Sequence, residues 1–282
     1  MDSCCRPHDV DHSKVSVMRC LLILPRIPFP PHDGAAVVMG ETLQALHRAG
    51  HEVHVFALNT SRQPADPSLL KDLCTSYAVH DVVTDINAVG AVRSIVNPRK
   101  LSAFGVPLQA SYWVDRFASV DALRALSTFV QQHDRFDCVI CETLFTACYG
   151  IALREHGLIG TSQPILLRAH NIEHRIQHHL AHEYNRSWFE RRYRLHLAEG
   201  TKSYETWIFD HVDGVMTLSE TDAEVVRVFA PHTAVRSIPP GVTLPDVREP
   251  SARSRELCFL GSLDWLPNID GLRWFVERVM PL

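Results

Sequence analysis

Short apolar runs alternate with longer amphipathic stretches along most of the chain. An apolar run without polar alternation is typical of a strand that is buried on both faces, as in a parallel sheet. Such runs predict strands at residues 18–24, 77–84, 138–141, 164–169, 212–218, 233–238 and 256–260. A further strand is predicted to begin at Val53. Four prolines within residues 25–31 end the first strand, because proline cannot extend a central strand.

The stretches between these runs carry apolar residues at helical spacing. They predict helices at residues 35–49, 68–74, 88–96, 114–133, 146–156, 171–210 and 268–280, and one that begins at Ser219. Gly50 follows the first helix, where a left-handed cap favours glycine. Gly200 is expected to kink the longest helix.

Strands and helices that alternate in this way predict right-handed βαβ crossovers. We therefore predict an α/β fold, with a Rossmann-like parallel sheet and helices on both faces, over residues 18–244. Residues 1–17 are expected to be a disordered tail, and the polar, proline-containing residues 245–255 an interdomain linker. Residues 256–282 would be the first strand and helix of a second, truncated domain.

Composition and charge narrow the class of protein. The 282 residues carry a formal net charge of -4, which does not favour a nucleic-acid partner, since such proteins usually present a basic face. Eight cysteines are scattered through predicted strands and helices, and we interpret them as reduced thiols of a cytoplasmic protein. No apolar run reaches the ~18 residues of a membrane span. Arginines within residues 186–194 fit a solvated helix face or a peripheral contact with the inner membrane.

Polar residues and glycines follow the predicted strands at the points where those strands end. They are Gly34, Glu142, His170, Ser219 and Gly241. In an open parallel sheet these positions meet at one edge, where ligands bind. His170 could hydrogen-bond a hydroxyl group, or it could cap the next helix. Glu142 could act as an acid, a base or a hydroxyl acceptor, or cap a helix, and Ser219 is a good N-cap.

Three other motifs predict competing chemistry. His170, Glu173 and His174 fit the H-x-x-E-H pattern of zinc peptidases, but that chemistry needs both histidines in one helix, and His170 ends a strand. His174 also begins a histidine-rich stretch that could bind metal adventitiously or form a solvated helix face. Cys138 and Cys141 form a C-x-x-C that is typical here of a buried strand rather than a redox turn.

Several motifs in order resemble one known family. They are PPHDGAAVVMGETLQALHRAGHEVHVF, RAHNIEH, TLSETDAEVV, IPPGV and FLGSLDWLPNIDGLRWF. Together they cover most of residues 18–282 and resemble a family-4 glycosyltransferase of the two-domain GT-B fold. The chain is similar in particular to the sugar transferases of bacterial exopolysaccharide and PEP-CTERM protein-sorting clusters.

This resemblance implies a retaining transfer of a sugar from a nucleotide-sugar donor to a glycan or lipid-linked acceptor, with no metal or other cofactor. It implies that Asp33, Gly34 and Ala35 form the loop that faces the donor phosphates and the acceptor. His170 matches the family's cleft histidine and is the catalytic candidate. The remaining substrate-binding candidates are Glu142, Ser219, Gly241, Gly261 and Ser262.

The sequence departs from the family's pattern near its end. Many relatives carry a basic pair after the glycine that corresponds to Gly261, whereas Ser262, Leu263 and Asp264 stand here. The donor-binding half would follow Leu282, so we expect a truncated chain of low activity. Its second-domain segment would expose Cys258, Phe259, Trp265, Trp274 and Phe275 and favour self-association. The alternative is a non-catalytic remnant that binds a glycan or a partner.

Overall fold

The structure is a computed structural model, and it describes seven stretches of the chain. They are residues 16–86, 89–92, 101–108, 111–183, 187–241, 256–263 and 266–280. Most of the predicted tail, the linker 245–255, much of the predicted helix 88–96, and Arg186, Asp264 and Trp265 lie outside the described residues.

Seven parallel strands form one sheet. They are β1 (Arg19–Leu24), β2 (Glu52–Thr60), β3 (Ser76–Val82), β4 (Cys138–Glu142), β5 (Ile165–Ala169), β6 (Gly214–Thr217) and β7 (Ala234–Ser237). Their order across the sheet is β3-β2-β1-β4-β5-β6-β7, and every neighbouring pair is parallel. The order reverses between β1 and β4, which is where doubly wound sheets open a crevice for ligands. The predicted fold class is confirmed.

Helices follow the strands in the predicted alternation. They are α1 (Gly34–Arg48), α2 (Tyr112–Asp115), α3 (Val120–Gln131), α4 (Ala147–Glu155), α5 (Glu173–Glu183), α6 (Trp188–His211), α7 (Glu220–Phe229) and α8 (Leu266–Trp274). Short 3-10 turns occur at Pro67–Leu70, Ser102–Phe104 and Leu144–Thr146, and a π-helical turn at Phe275–Val279 follows α8. Within the described ranges, no helix combines the length and the apolar character needed to cross a membrane.

Two apolar clusters cover the two faces of the sheet. On one face, Leu22 and Leu24 of β1 pack with Met39 and Leu43 of α1. On the other face, Ile23 belongs to a larger cluster built with α3, α4 and α6. Successive strand residues point to opposite faces, so β1 is apolar from Cys20 to Leu24 because both of its faces are buried there.

Two long predicted helices are broken in the structure. The predicted helix 114–133 is interrupted before α3, where the Ser119 hydroxyl accepts a hydrogen bond from the Ala122 amide at 3.2 Å. The predicted helix 171–210 is a pair of helices, α5 and α6, and Ser187 caps the second by accepting from the Glu190 amide at 3.2 Å. Apolar periodicity continued through both breaks, and the capping serines mark where the helices begin.

Helix α6 runs from Trp188 to His211 and includes Gly200. A Cβ atom at Gly200 would lie 3.1 Å from the Cβ of Ser111. Glycine therefore allows the segment before α2 to approach α6 closely, and a kink at Gly200 stays a prediction.

The predicted strand 256–260 was also wrong. These residues have no regular secondary structure and are exposed. The predicted helix 68–74 is shorter, a 3-10 turn at Pro67–Leu70 that Asp66 caps. The last helix begins at Leu266, earlier than the predicted start at residue 268. Apolar composition was mistaken for a strand because the pattern of a strand does not report whether another strand lies beside it.

Candidate functional site

The parallel sheet places the ends of β1, β4, β5, β6 and β7 along one edge. Since all seven strands run in the same direction, the residues that follow them share that edge. Glu142 is the last residue of β4, and His170 directly follows β5. These two residues, 28 apart in sequence, are in direct contact.

The contact is a buried hydrogen bond. His170 Nε2 lies 2.6 Å from Glu142 Oε2, so the imidazole donates and the carboxylate accepts. Glu142 is 0% exposed and His170 7% exposed. In the neutral ring, this bond places the proton on Nε2 and leaves Nδ1 as an acceptor. His170 Nδ1 is itself buried and has no hydrogen-bond partner among the described residues.

Arg168 supplies a positive charge beside this pair. Its Nε lies 3.9 Å from Glu142 Oε1, and its guanidinium donates to the Ile238 carbonyl oxygen at 3.3 Å. Burial lowers the pKa of Arg168, and the charge of Glu142 opposes that change. In the part of the chain that the structure describes, Glu142 Oε1 has no hydrogen-bond partner. An arginine within the apolar strand PILLRA was the available sequence signal, and the sequence reasoning missed it.

The backbone is strained next to Glu142. Thr143 has φ of 69°, and it is the only residue other than glycine with positive φ in the described part of the chain. A β-branched residue in the left-handed region is unfavourable and is found where surrounding structure enforces it, often at functional sites. The Thr143 amide donates to the Arg168 carbonyl oxygen at 3.0 Å, which extends the pairing of β4 with β5 through the strained residue.

The Asp33 loop lies at the same edge, after β1. Asp33 caps α1 by accepting from the Ala36 amide at 2.9 Å, and it also accepts from Arg26. Burial raises the pKa of Asp33, but the hydrogen bonds from Arg26 and Ala36 outweigh it, so the pKa is lowered overall. Gly34 begins the helix, and a Cβ atom there would meet nothing within 4 Å. The start of α1 at Gly34 and Ala35 is therefore open to a ligand.

Ser219 and Gly241 lie at the ends of the last two strands. The Ser219 hydroxyl accepts from the Asp222 amide at 3.1 Å and donates to the Asp222 carboxylate at 2.8 Å, so it caps α7 as its chemistry predicts. A Cβ atom at Gly241 would lie 3.9 Å from Glu41 Oε2, which places this turn beside α1. Contact of Ser219 and Gly241 with a substrate stays a prediction.

Gly261 and Ser262 belong to the segment 256–263. A Cβ atom at Gly261 would lie 3.0 Å from both Asn268 Nδ2 and the Phe259 ring. The Ser262 carbonyl oxygen accepts from Asn268 Nδ2 at 2.9 Å. These contacts form a turn before α8. The predicted approach of this turn to a donor diphosphate stays a prediction.

A second carboxylate–histidine pair lies at the start of α5. His174 Nδ1 lies 2.5 Å from Glu205 Oε2, and Glu205 also accepts from the Glu173 amide at 2.8 Å and the His174 amide at 3.3 Å. Glu205 of α6 therefore caps α5 with both of its oxygens. Trp113 Nε1 donates to Glu173 Oε2 at 3.1 Å. Burial is the main reason that the pKa of Glu173 rises to about 7, and the charge of Glu205 raises it further.

This arrangement contradicts the zinc-peptidase hypothesis. His170 lies before α5, which begins at Glu173, and its ring binds Glu142, whereas the His174 ring binds Glu205. Among the residues with described positions, no group of three histidine, cysteine, aspartate or glutamate side chains could hold a metal ion. Adventitious metal binding by the histidines of α5 is not supported by that geometry either.

The C-x-x-C pair is structural. Cys138 and Cys141 are buried in β4, and they pack in different apolar clusters on opposite faces of the sheet. The six cysteines that the structure describes are free thiols. The interpretation of this motif as part of a buried strand is confirmed.

One known protein family matches most of the chain. The family model of Glycosyltransferase Family 4 matches residues 32–244. No curated protein sequence matched the chain.

Solved structures with a similar arrangement include glycosyltransferases. UGT89C1 from Arabidopsis thaliana, complexed with UDP-L-rhamnose, has 14% identity and a TM-score of 0.45, over 93% of this chain and 55% of that one. The catalytic domain of starch synthase IV from Arabidopsis thaliana, bound to ADP and acarbose, has 15% identity and a TM-score of 0.42, over 80% and 52%. A sucrose-phosphate synthase from Thermosynechococcus elongatus has 14% identity and a TM-score of 0.41, over 79% and 90%. The chain thus spans about half the length of UGT89C1 and about half the length of the starch synthase domain.

Proposed function

The chain belongs to glycosyltransferase family 4, and from that premise we propose that it transfers a sugar from a nucleotide-sugar donor to a hydroxyl group of a glycan or lipid-linked acceptor. We assign the reaction to polysaccharide biosynthesis in the cytoplasm, with retention at the anomeric carbon and without a metal. The observation that carries the proposal is the Glu142–His170 pair at the sheet edge where ligands of such folds bind.

In the proposed reaction the bond between the anomeric carbon and the donor's diphosphate oxygen breaks, and a bond to the acceptor oxygen forms on the same face. The proton of the acceptor hydroxyl passes to the departing diphosphate oxygen. Positive charge develops on the sugar and negative charge on the leaving diphosphate. Fixed dipoles and charges that match this separation lower the barrier. The N-terminal end of α1, which is open at Gly34, has the polarity to stabilise the diphosphate.

His170 is proposed to position a hydroxyl group of the sugar or the acceptor. Because Glu142 holds the proton on Nε2, Nδ1 is left to accept a hydrogen bond from that hydroxyl. Nδ1 is shielded from solvent and has no partner, so the contact requires a local opening of the edge on ligand binding. A buried polar atom without a partner is costly, and a substrate hydroxyl would remove that cost.

The test is turnover by the purified chain. A panel of nucleotide sugars is incubated with polyprenyl-phosphate and oligosaccharide acceptors, and nucleotide release and the glycosylated product are followed by chromatography and mass spectrometry. We expect product with one donor and acceptor pair. Retained acceptor binding without any turnover would instead support the non-catalytic binding alternative.

Self-association is proposed for the segment around α8. Cys258 is exposed, Phe259 is 45% exposed and Trp274 is 61% exposed, whereas Phe275 is only partly covered. Large exposed apolar patches commonly mark contact surfaces. Sedimentation velocity of the native chain and of Trp274→Glu tests this, and an unchanged, monomeric distribution for both would contradict it.

A further inference from the structure

The pocket between α5 and α6 is distinct from the Glu142–His170 edge, and its lining is basic. It has a volume of about 510 Å³, within the usual size of small-ligand sites. It is lined by His174, Arg175, His178, His179, His182, Ala198, Glu199 and Lys202. We propose that this pocket binds a phosphate group.

Charge favours an anion. Arg175 and Lys202 bring two permanent positive charges, and Glu199 is the one carboxylate in the lining, although the chain as a whole has a net charge of -4. Phosphate oxygens accept hydrogen bonds from guanidinium and ammonium groups, and such charge-assisted bonds are about twice as strong as neutral ones.

Two histidines of the lining, His178 and His182, add donors. Every imidazole carries at least one N–H in each of its protonation states, so each of these two rings can donate to a phosphate oxygen. His174 forms the inner wall, where its bond to the buried Glu205 fixes its ring. The wall is thus built before a ligand arrives, which lowers the entropy lost on binding.

A metal ion fits the pocket less well than an anion. The two cationic side chains would repel it, and the described residues provide no cluster with the placement of metal ligands. A neutral sugar would make no use of the positive charges. A phosphate group would interact both with the cationic side chains and with the imidazole rings of the lining.

The open end of the helix pair suggests two sources of that phosphate. Arg191 approaches His182 at 3.4 Å, and nearby in α6 Trp188 and Phe189 are 64% and 77% exposed. Arg192 lies over the Trp188 ring at 5.4 Å. Exposed aromatic and basic residues beside the pocket suit a lipid headgroup, whereas the pocket alone suits a soluble phosphate. Both ligands present the same chemistry to Arg175 and Lys202.

The experiment compares binding with and without Arg175 and Lys202, which the proposed glycosyl transfer does not use, so the two proposals can fail separately. Inorganic pyrophosphate is titrated by calorimetry, and vesicles of phosphatidylcholine with and without phosphatidic acid are tested by co-sedimentation. The variant Arg175→Gln/Lys202→Gln is compared with Lys71→Gln/Arg124→Gln, which removes the same charge from exposed positions on other elements.

We expect the pocket variant to lose at least about tenfold in affinity for one of the two probes, and the control to lose much less. Loss of pyrophosphate binding identifies a soluble phosphate, and loss of binding to phosphatidic acid vesicles alone identifies a headgroup. Equal losses in both variants, or no binding of either probe by the native chain, would overturn the proposal. If the double variant does not fold, Arg175→Gln alone is used, since this side chain is exposed on α5.

Discussion

Two carboxylate–histidine pairs, whose histidines lie four residues apart in sequence, differ in how completely their polar atoms are used. In both, a carboxylate that is at most 1% exposed binds an imidazole, at 2.6 Å for Glu142–His170 and 2.5 Å for Glu205–His174. Glu205 uses its two oxygens to cap α5. Within the described part of the chain, Glu142 and His170 each keep a buried polar atom that has no hydrogen-bond partner.

We infer that the difference separates a structural role from a functional one. A buried network that satisfies its own atoms stabilises the fold and leaves no buried polar atom that needs a ligand. A buried pair that retains an unused acceptor carries a cost that only a ligand or a rearrangement can remove. The Glu142–His170 pair also adjoins the strained Thr143. The lengths of the two carboxylate–imidazole hydrogen bonds do not by themselves distinguish the two pairs.

The largest effect is expected from removing Glu205. In Glu205→Ala the α5 amides lose their cap and His174 loses its partner, so we expect the free energy of unfolding to fall by about 3–5 kcal/mol. Urea denaturation measures it. Glu199→Ala removes an exposed carboxylate from the same helix and should cost less than about 1 kcal/mol. Similar losses in the two variants would show that the Glu205 network is not structural.

Glu173, between the two pairs, predicts a dependence of stability on pH. Its pKa is about 7 in the folded chain, compared with an ordinary value of 4.5. The folded state therefore binds more protons than the unfolded state between these values, and the free energy of unfolding falls as pH rises from about 4.5 to about 7. The total loss should approach about 3 kcal/mol and level off above pH 7.

Glu173→Gln tests this, because the amide stays neutral and its oxygen can still accept from Trp113. Urea denaturation between pH 5 and pH 8 should give a flatter dependence for Glu173→Gln than for the native chain. Glu224→Gln, at an exposed position of α7, should keep the native dependence. If the native chain and Glu173→Gln had equal slopes, the protonated state of Glu173 would not be responsible.

His170→Gln separates activity from stability at the first pair. The glutamine Nε2 can replace the imidazole Nε2 and still donate to Glu142, whereas nothing replaces Nδ1. We expect the rate of sugar transfer to fall on the order of 100-fold, about 2.7 kcal/mol in the barrier, with a small loss of stability.

The matched variant at the second pair is His174→Asn, because the asparagine Nδ2 replaces the imidazole Nδ1 that binds Glu205. It should keep both activity and stability. Sugar transfer by His170→Gln at the native rate would mean that Nδ1 has no role in the reaction. It would also contradict our proposal that a buried polar atom without a hydrogen-bond partner marks a functional site.

The sheet and its edge were predictable from the sequence because they depend on local patterns. The apolar runs of β1, β4 and β5 report burial on both faces, and a parallel sheet then places Glu142 and His170 at one edge. The partner of each group was harder to predict. Glu205 lies 31 residues from His174, and its role depends on how α5 packs against α6.

The remaining errors have the same origin. The breaks before α3 and α6 were missed because apolar periodicity continued through them. Arg168 was overlooked because its value lies in the charge that it places near Glu142, on the neighbouring strand. Thr143 gave no sequence signal, since its positive φ is imposed by the structure around it. Contacts between neighbouring elements and backbone strain depend on how the whole chain packs, so a local sequence pattern does not report them.

The smallest effect tests the distinction itself at Ser219, a predicted substrate contact whose hydroxyl both accepts from and donates to Asp222. If fully used polar groups are structural, Ser219→Ala should cost about 1 kcal/mol of stability through the lost cap and leave sugar transfer unchanged. Ser119→Ala removes the corresponding cap of α3 and is the control for both measurements. A rate reduced in Ser219→Ala but not in Ser119→Ala would show that a capping hydroxyl also contacts the substrate. The unused atom would then no longer be the criterion that separates the two kinds of site.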